Sequence, residues 1–279
     1  MYVIVYNPKS KGGKSKDVVE KIVERMNEMN ETYRFQNFLE VQDTEAFINS
    51  LQDDEHPVFV GGDGTLHLLA NAIEKYKFTK DIYAYPSGTG NDFFRNINQF
   101  DKNIVRINEY MENLPVYKSG DLEEVFLNGI GVGIDGLVCQ YVAEDKGGNA
   151  FSYYKNTVKA FFKYKPHPMT VTIDGVKHHY KKCWLTVCMN GIYAGGGMKF
   201  GPLKTRNDGT LDVMVVHSLS KLQLVLLFGK IYKGTQIKLK KYVDYINGKD
   251  IKIEAEGLPP MQTDGEVHKN IKELIVKAR

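Results

Sequence analysis

Three glycine-rich loops, each entered from a short apolar run and left through a helical segment, constrain the N-terminal part of this chain more than any other feature. Tyr2 to Tyr6 is apolar and β-branched and runs into Asn7-Pro8-Lys9-Ser10-Lys11-Gly12-Gly13-Lys14. Val18, Val19, Ile22, Val23 and Met26 then recur at helical spacing. Pro57-Val58-Phe59-Val60 leads into Gly61-Gly62-Asp63-Gly64-Thr65, with a helix expected from Leu66 to Lys75. Ile82-Tyr83-Ala84-Tyr85 leads into Pro86-Ser87-Gly88-Thr89-Gly90, with a short helix expected from Asp92. Strand, loop and helix repeated in this order predict a parallel sheet covered on both faces. In such sheets ligands meet the loops at the carboxyl ends of the strands, where all three loops fall.

The texture changes after about residue 122. Val125–Ile130, Met169–Ile173, Trp184–Met189, Leu211–Val216 and Ile251–Ala255 are short β-rich runs divided by turn residues such as Asp174-Gly175 and Asn207-Asp208-Gly209. They predict an antiparallel arrangement, interrupted by helices near 151–163 and 219–232. The expected architecture is an α/β domain with a parallel sheet over 1–122, followed by a larger, β-rich antiparallel domain over 123–279. A length of 279 residues suits two cores better than one.

A net charge of +3 is too mild to point to nucleic acid. Cys139, Cys183 and Cys188 form no C-x-x-C pair and are odd in number, which reads as reduced thiols in a cytosolic protein. The start Met1-Tyr2-Val3-Ile4 lacks the features of a signal peptide. No apolar run approaches the ~18 residues of a membrane span.

The chemistry sits in the loops. Glycines let backbone N–H groups come close to phosphate oxygens, and the helix that follows adds its positive end. Asp63 facing a phosphate alone would repel it, so its presence suggests a nearby magnesium ion or its water shell. A plain β-to-α turn that uses glycine for geometry gives the same local pattern. The first loop lacks Walker spacing, but its lysines can still meet phosphate charge. Far along the chain, Gln262-Thr263-Asp264-Gly265-Glu266 places two acids two residues apart, on one face if the segment is a strand. Asp-Gly is also a common turn pair. Thr205 to Thr210 carries the same ambiguity. Gly131-Val132-Gly133-Ile134-Asp135-Gly136 matches G-x-G-x-x-G, but its β-rich surroundings and the missing acid about twenty residues on argue against a dinucleotide site.

Asn7-Pro8, Gly61 to Thr65, Pro86 to Phe93, Gly195-Gly196-Gly197-Met198, Asn207 to Asp212 and Thr263 to Glu266 together resemble the diacylglycerol kinase catalytic family, especially the bacterial lipid kinases. The resemblance implies an α/β nucleotide-binding domain, a β-rich lipid-substrate domain, and an active site between them. It implies ATP as phosphate donor with Mg2+, its phosphates on Gly62, Asp63, Gly64 and Thr65. Asn7, Pro8, Lys9, Ser10, Lys11, Ser87, Gly88 and Thr89 complete the implied nucleotide site. Asp264 is implied as general base, supported by Glu266. A structural magnesium is implied at the Asp208 side chain, with the backbone carbonyls of Thr205 and Thr210 as candidates, and a water-mediated catalytic magnesium at Asp63, Asp92 and Asp121. Relatives fold a final element back onto the first domain; the thirteen residues after Glu266 are short for that return.

The implied acceptor is a hydroxyl on a membrane lipid, diacylglycerol first among the candidates. The protein would then be cytoplasmic and peripherally membrane-associated, and a homodimer stays open. Phe151 to Tyr164 mixes aromatics with lysines, and Leu222 to Tyr232 is a strongly apolar stretch bordered by lysines. Both suit transient docking on an anionic surface, although helices that only cover a sheet read the same way. Two other readings stay open: an NAD kinase-like enzyme with a soluble substrate, which shares GGDGT, and a nucleotide- or lipid-binding module without turnover.

Overall fold

The computed structural model describes residues 1–8, 15–100, 104–145, 150–257 and 259–279. The chain divides into two compact units, Met1–Glu112 and Asn113–Arg279.

The first unit alternates β1 (Tyr2–Tyr6), α1 (Ser15–Glu28), β2 (Tyr33–Asn37), α2 (Thr44–Ser50), β3 (His56–Gly61), α3 (Asp63–Ala72), β4 (Tyr83–Pro86), α4 (Asp92–Asn96), β5 (Val105–Arg106) and α5 (Asn108–Met111). Its sheet runs β2-β1-β3-β4-β5, parallel except for the short edge strand β5. Val3, Ile4 and Val5, like Val58, Phe59 and Val60, are buried on both sides of the sheet. That is why these strands read as continuous apolar runs rather than alternating ones. Ile22 and Met26 of α1 pack on Ile4, Val58 and Val60, and each such side chain stabilises by roughly 1.5–3 kcal/mol when fully buried.

The second unit contains β6 (Val116–Ser119), β7 (Leu122–Val125), β8 (Gly129–Gly133), α6 (Ile134–Glu144), α7 (Ala150–Lys163), β9 (His167–Ile173), β10 (Val176–Met189), β11 (Tyr193–Ala194), β12 (Met198–Lys199), β13 (Leu211–His217), α8 (Lys221–Phe228), α9 (Lys230–Lys233), β14 (Val243–Gly248), β15 (Asp250–Ala255), β16 (Met261–Thr263), β17 (Glu266–His268) and β18 (Glu273–Lys277). The main sheet is antiparallel throughout and follows β17-β16-β8-β10-β9-β15-β18-β6-β7, with β13 and β14 branching from β10.

The fourteen-residue strand β10 makes this branching possible. Its first half pairs with β9; after an irregularity near Tyr180–Cys183 its second half pairs with β8 on one side and β13 on the other. Alternation does the rest. Cys188 joins a core with Val171, Ile251, Val213 and Leu274. Leu185, Val187 and Met189 turn the other way and pack under the helices with Phe161, Met214 and Leu224. The last strand, β18, pairs with β15 and β6, so the chain's end lies in this sheet and not in the first unit's.

Some element boundaries differ from the sequence expectation. α3 starts at Asp63 rather than Leu66, which places Gly64 and Thr65 in its first turn. The run Val125–Ile130 breaks between β7 and β8, and the 219–232 segment divides at Gly229 into α8 and α9. The G-x-G-x-x-G stretch is a strand followed by a helix, but β8 pairs only with antiparallel neighbours, so no βαβ unit exists there.

Candidate active site

In the first unit the loops after β3 and β4 meet backbone to backbone. A Cβ on Gly62 would lie 2.6 Å from the Gly88 Cα, so the contact requires glycine at both positions. The Ser87 N–H donates to the Gly61 carbonyl (2.9 Å), and Asn91, in the left-handed region at φ 50°, turns its Oδ1 back to accept from the Gly88 N–H (2.8 Å). Asp63 joins the two loops from the other side. Its Oδ1 accepts from the Phe93 N–H (2.8 Å) and its Oδ2 from the Asp92 N–H (3.1 Å), capping α4.

The structure therefore brings Gly62, Asp63, Gly64, Thr65, Ser87, Gly88 and Asp92 into one constellation at the carboxyl edge of the sheet. Thr65 and Ser87 are buried and Thr89 is exposed. Asn7 and Pro8 follow β1 at the same edge. Lys9, Ser10 and Lys11 lie outside the described residues. Asp63 and Asp92 are joined through the Asp92 N–H on Asp63 Oδ2 (3.1 Å), and carboxylates are the oxygen donors that magnesium takes.

In the second unit Asp264 does not share a strand face with Glu266. It sits in the two-residue turn between β16 and β17, with φ 48° at Asp264 and 97° at Gly265. These are the values of a tight hairpin turn, where Asp-Gly is favoured. Glu266 opens β17, exposed, opposite Thr263. The Asp264 carboxylate is held by a segment far back in the chain. Its Oδ2 accepts from the Leu127 N–H (2.7 Å), and its Oδ1 from the N–H groups of Asn128 (2.8 Å) and Gly129 (3.3 Å). This grip explains the break between β7 and β8. The same peptide is held from its other side, since the Leu127 carbonyl accepts from Arg206 Nη1 (2.7 Å) and Asn190 Nδ2 (3.1 Å).

Gln262 links this turn to α6. Its Oε1 accepts from the Gly265 N–H (3.0 Å) and its Nε2 donates to Asp135 Oδ2 (3.1 Å). Asp135 opens α6 above Gly131, whose missing side chain leaves room for the carboxyl. Its Oδ1 is closed off from solvent without a hydrogen-bond partner, and burial raises its pKa to about 7. The motifs give Asp135, Gln262 and Arg206 no role of their own. An acid opening the helix after G-x-G was the one available signal.

Asp121 lies in the turn between β6 and β7 of the second unit, whereas Asp63 and Asp92 belong to the first. The loop expected to hold a structural magnesium has a different occupant. Lys204, its side chain 0% exposed, donates from Nζ to the Thr205 carbonyl (2.8 Å), to Thr210 Oγ1 (3.3 Å) and to Asp208 Oδ1. Two of the expected oxygen donors, the Thr205 carbonyl and the Asp208 carboxylate, are thus engaged by an ammonium, together with the Thr210 hydroxyl. Burial acts upward on the Asp208 pKa, but the hydrogen bonds from Lys204 and Thr210 outweigh it and hold the carboxyl below its ordinary range. Among the described residues no cluster of His, Cys, Asp and Glu is arranged for a metal. The thiols of Cys139, Cys183 and Cys188 are unpaired, and burial pushes all three up to about 12.

Residues 1–116 match the diacylglycerol kinase catalytic domain family, and residues 128–275 match the YegS C-terminal NAD kinase beta sandwich-like domain. Among curated proteins, "Putative lipid kinase YtlR" of Bacillus subtilis is 26% identical over 235 residues, 75% of this chain and 73% of that protein. The "Diacylglycerol kinase" of Mycobacterium tuberculosis is 26% identical over 208 residues, 71% of this chain and 66% of that protein. Among solved structures, a diacylglycerol kinase from Bacillus anthracis superposes with a TM-score of 0.63 at 21% identity, covering 99% of this chain and 93% of that one, a likeness of fold.

Proposed function

This chain belongs to the diacylglycerol kinase-like lipid kinases of bacteria, and from that premise we propose that it transfers the γ-phosphoryl group of ATP, with magnesium, to a hydroxyl of a membrane lipid. Diacylglycerol is the leading acceptor and phosphatidic acid the product. The observation that carries the reading is the Gly62–Gly88 contact, which presses two loops together and puts backbone amides and two carboxylates at one sheet edge.

In this reading the amides around Gly62 to Thr65 and Ser87 to Thr89 receive the phosphates of ATP. Magnesium bound near Asp63 and Asp92 would neutralise phosphate charge that these carboxylates otherwise repel. Asp264, oriented by the N–H groups of Leu127, Asn128 and Gly129, accepts the proton of the lipid hydroxyl as its oxygen attacks in line. A loose phosphoryl-transfer transition state asks mainly for position and charge neutralisation, and position is what the backbone N–H groups give Asp264. Oδ2 accepts one backbone N–H where Oδ1 accepts two, so Oδ2 is the oxygen proposed to take the proton.

Lipid access is proposed through the helices of the second unit. Leu222, Leu226 and Phe162 are 68%, 72% and 64% exposed, and Lys221 Nζ donates to the Phe162 carbonyl (2.5 Å), tying α8 to α7. No described helix is long and apolar enough to cross a membrane. Apolar tips beside lysines suit shallow insertion into an anionic leaflet.

The test is phosphate transfer from labelled ATP to a lipid panel in mixed micelles, with wild type and Asp264→Asn side by side. The variant's amide turns N–H toward backbone N–H donors, so thermal unfolding and ATP binding are measured too. The expected result is transfer to one lipid by wild type and a loss of at least about 100-fold in the variant, with ATP binding retained. Undiminished turnover in a folded Asp264→Asn protein would remove the general-base role.

A further inference from the structure

We propose that the ammonium of Lys204 is a built-in structural cation, taking the place of a metal ion among Thr205, Asp208 and Thr210 and ordering the loop that positions Asp264. Lys204 is fully enclosed at its side chain, and a buried ammonium persists only when its charge and its N–H groups are met. Here the balance is complete. Three N–H donors face a carbonyl, a carboxylate and a hydroxyl. Thr210 Oγ1 donates onward to Asp208 Oδ1 (2.7 Å) and accepts from Asn247 Nδ2 (2.8 Å), so its hydrogen-bonding capacity is also filled. The Thr210 N–H adds a further bond to Asp208 Oδ1 (2.9 Å). A divalent ion in the same oxygens would face the ammonium at contact distance with one carboxylate between them, a net repulsion.

The consequence reaches the proposed base through two residues. The ordered loop carries Arg206, which holds the Leu127 carbonyl (2.7 Å); the N–H of Leu127 holds Asp264 Oδ2 (2.7 Å). Lys204 is therefore a positioning residue. A chain that carries its own cation keeps this loop ordered whatever the supply of free magnesium, and magnesium is then needed only with the nucleotide.

The experiment uses the full-length, nucleotide-free protein. Thermal unfolding is followed in EDTA and in millimolar MgCl2, and Mn2+ binding is counted by electron paramagnetic resonance. Wild type is expected to show the same Tm in both solutions, and no Mn2+ site that Asp208→Asn removes. Lys204→Ala is expected to lose on the order of 10 °C in EDTA, because it empties a fully enclosed side-chain position and leaves the oxygens around it without their donor. It should regain most of that loss with MgCl2 and acquire one Mn2+ site, abolished by adding Asp208→Asn. Three results would overturn the proposal: a wild-type Tm that falls in EDTA together with an Asp208-dependent Mn2+ site, a Lys204→Ala protein as stable as wild type, or one destabilised and indifferent to metal. If Lys204→Ala does not fold, the wild-type Tm and Mn2+ measurements decide the matter alone.

Discussion

Asp135 shows how one residue's surroundings change its chemistry. Its carboxyl is sealed behind Gln262 and Gly131, and burial lifts its pKa to about 7. In the unfolded chain it titrates near the ordinary value of about 3.9. Between these values the folded protein holds a proton that the unfolded chain has released, so this group's contribution to stability falls as pH rises through the window. Asp135→Asn removes the titration. The variant's Tm relative to wild type should increase between about pH 5 and pH 8, as read by calorimetry; a constant difference would show that Asp135 stays charged throughout. Such residues were only half legible in the sequence. Asp63 and Asp264 stood out by motif, but their donors come from α4 and from residues 127–129, and the sequence does not announce a pairing across that distance.

Elements were legible wherever a periodic pattern and its terminators agreed. β1, β3 and β4 are apolar runs ending in glycine, proline or asparagine, and each was found within a residue or two of its expected place. α8 was legible in its start, where Ser220 and Gln223 form a capping box, but not in its exposure. Its sequence is almost wholly apolar, which reads equally as a helix covering a sheet or as a docking face; Leu224 is its one buried hydrophobic residue, and Leu222, Val225 and Leu226 face outward. If this face enters a bilayer, Leu222→Glu with Leu226→Glu should lower flotation with anionic vesicles at least about tenfold, with ATP binding unchanged. Flotation equal to wild type would place the docking surface elsewhere. Raising salt should weaken wild-type binding through the nearby lysines Lys221, Lys230 and Lys233.

At the scale of the whole molecule, each unit has its own core. Ile4, Ile22, Met26, Val58 and Val60 serve the first, and two clusters on opposite faces of β10 serve the second. Calorimetry should therefore resolve two transitions. A non-hydrolysable ATP analogue with magnesium should raise the one belonging to residues 1–112, and Lys204→Ala should lower the other. One transition moved by both would mean that the units unfold together. The α/β to β-rich order was legible because it depends on local pattern alone. The branching of the second sheet was not, because nothing local marks a strand that serves three partners. That topology also orders events in time. Asp264 depends on amides synthesised 135 to 137 residues earlier, and non-local pairings of this kind form late. The proposed base cannot be set until residues 127–129 and the turn at Asp264 have both left the ribosome, so the glycine loops of residues 61–92, proposed to hold phosphate, would be complete well before it.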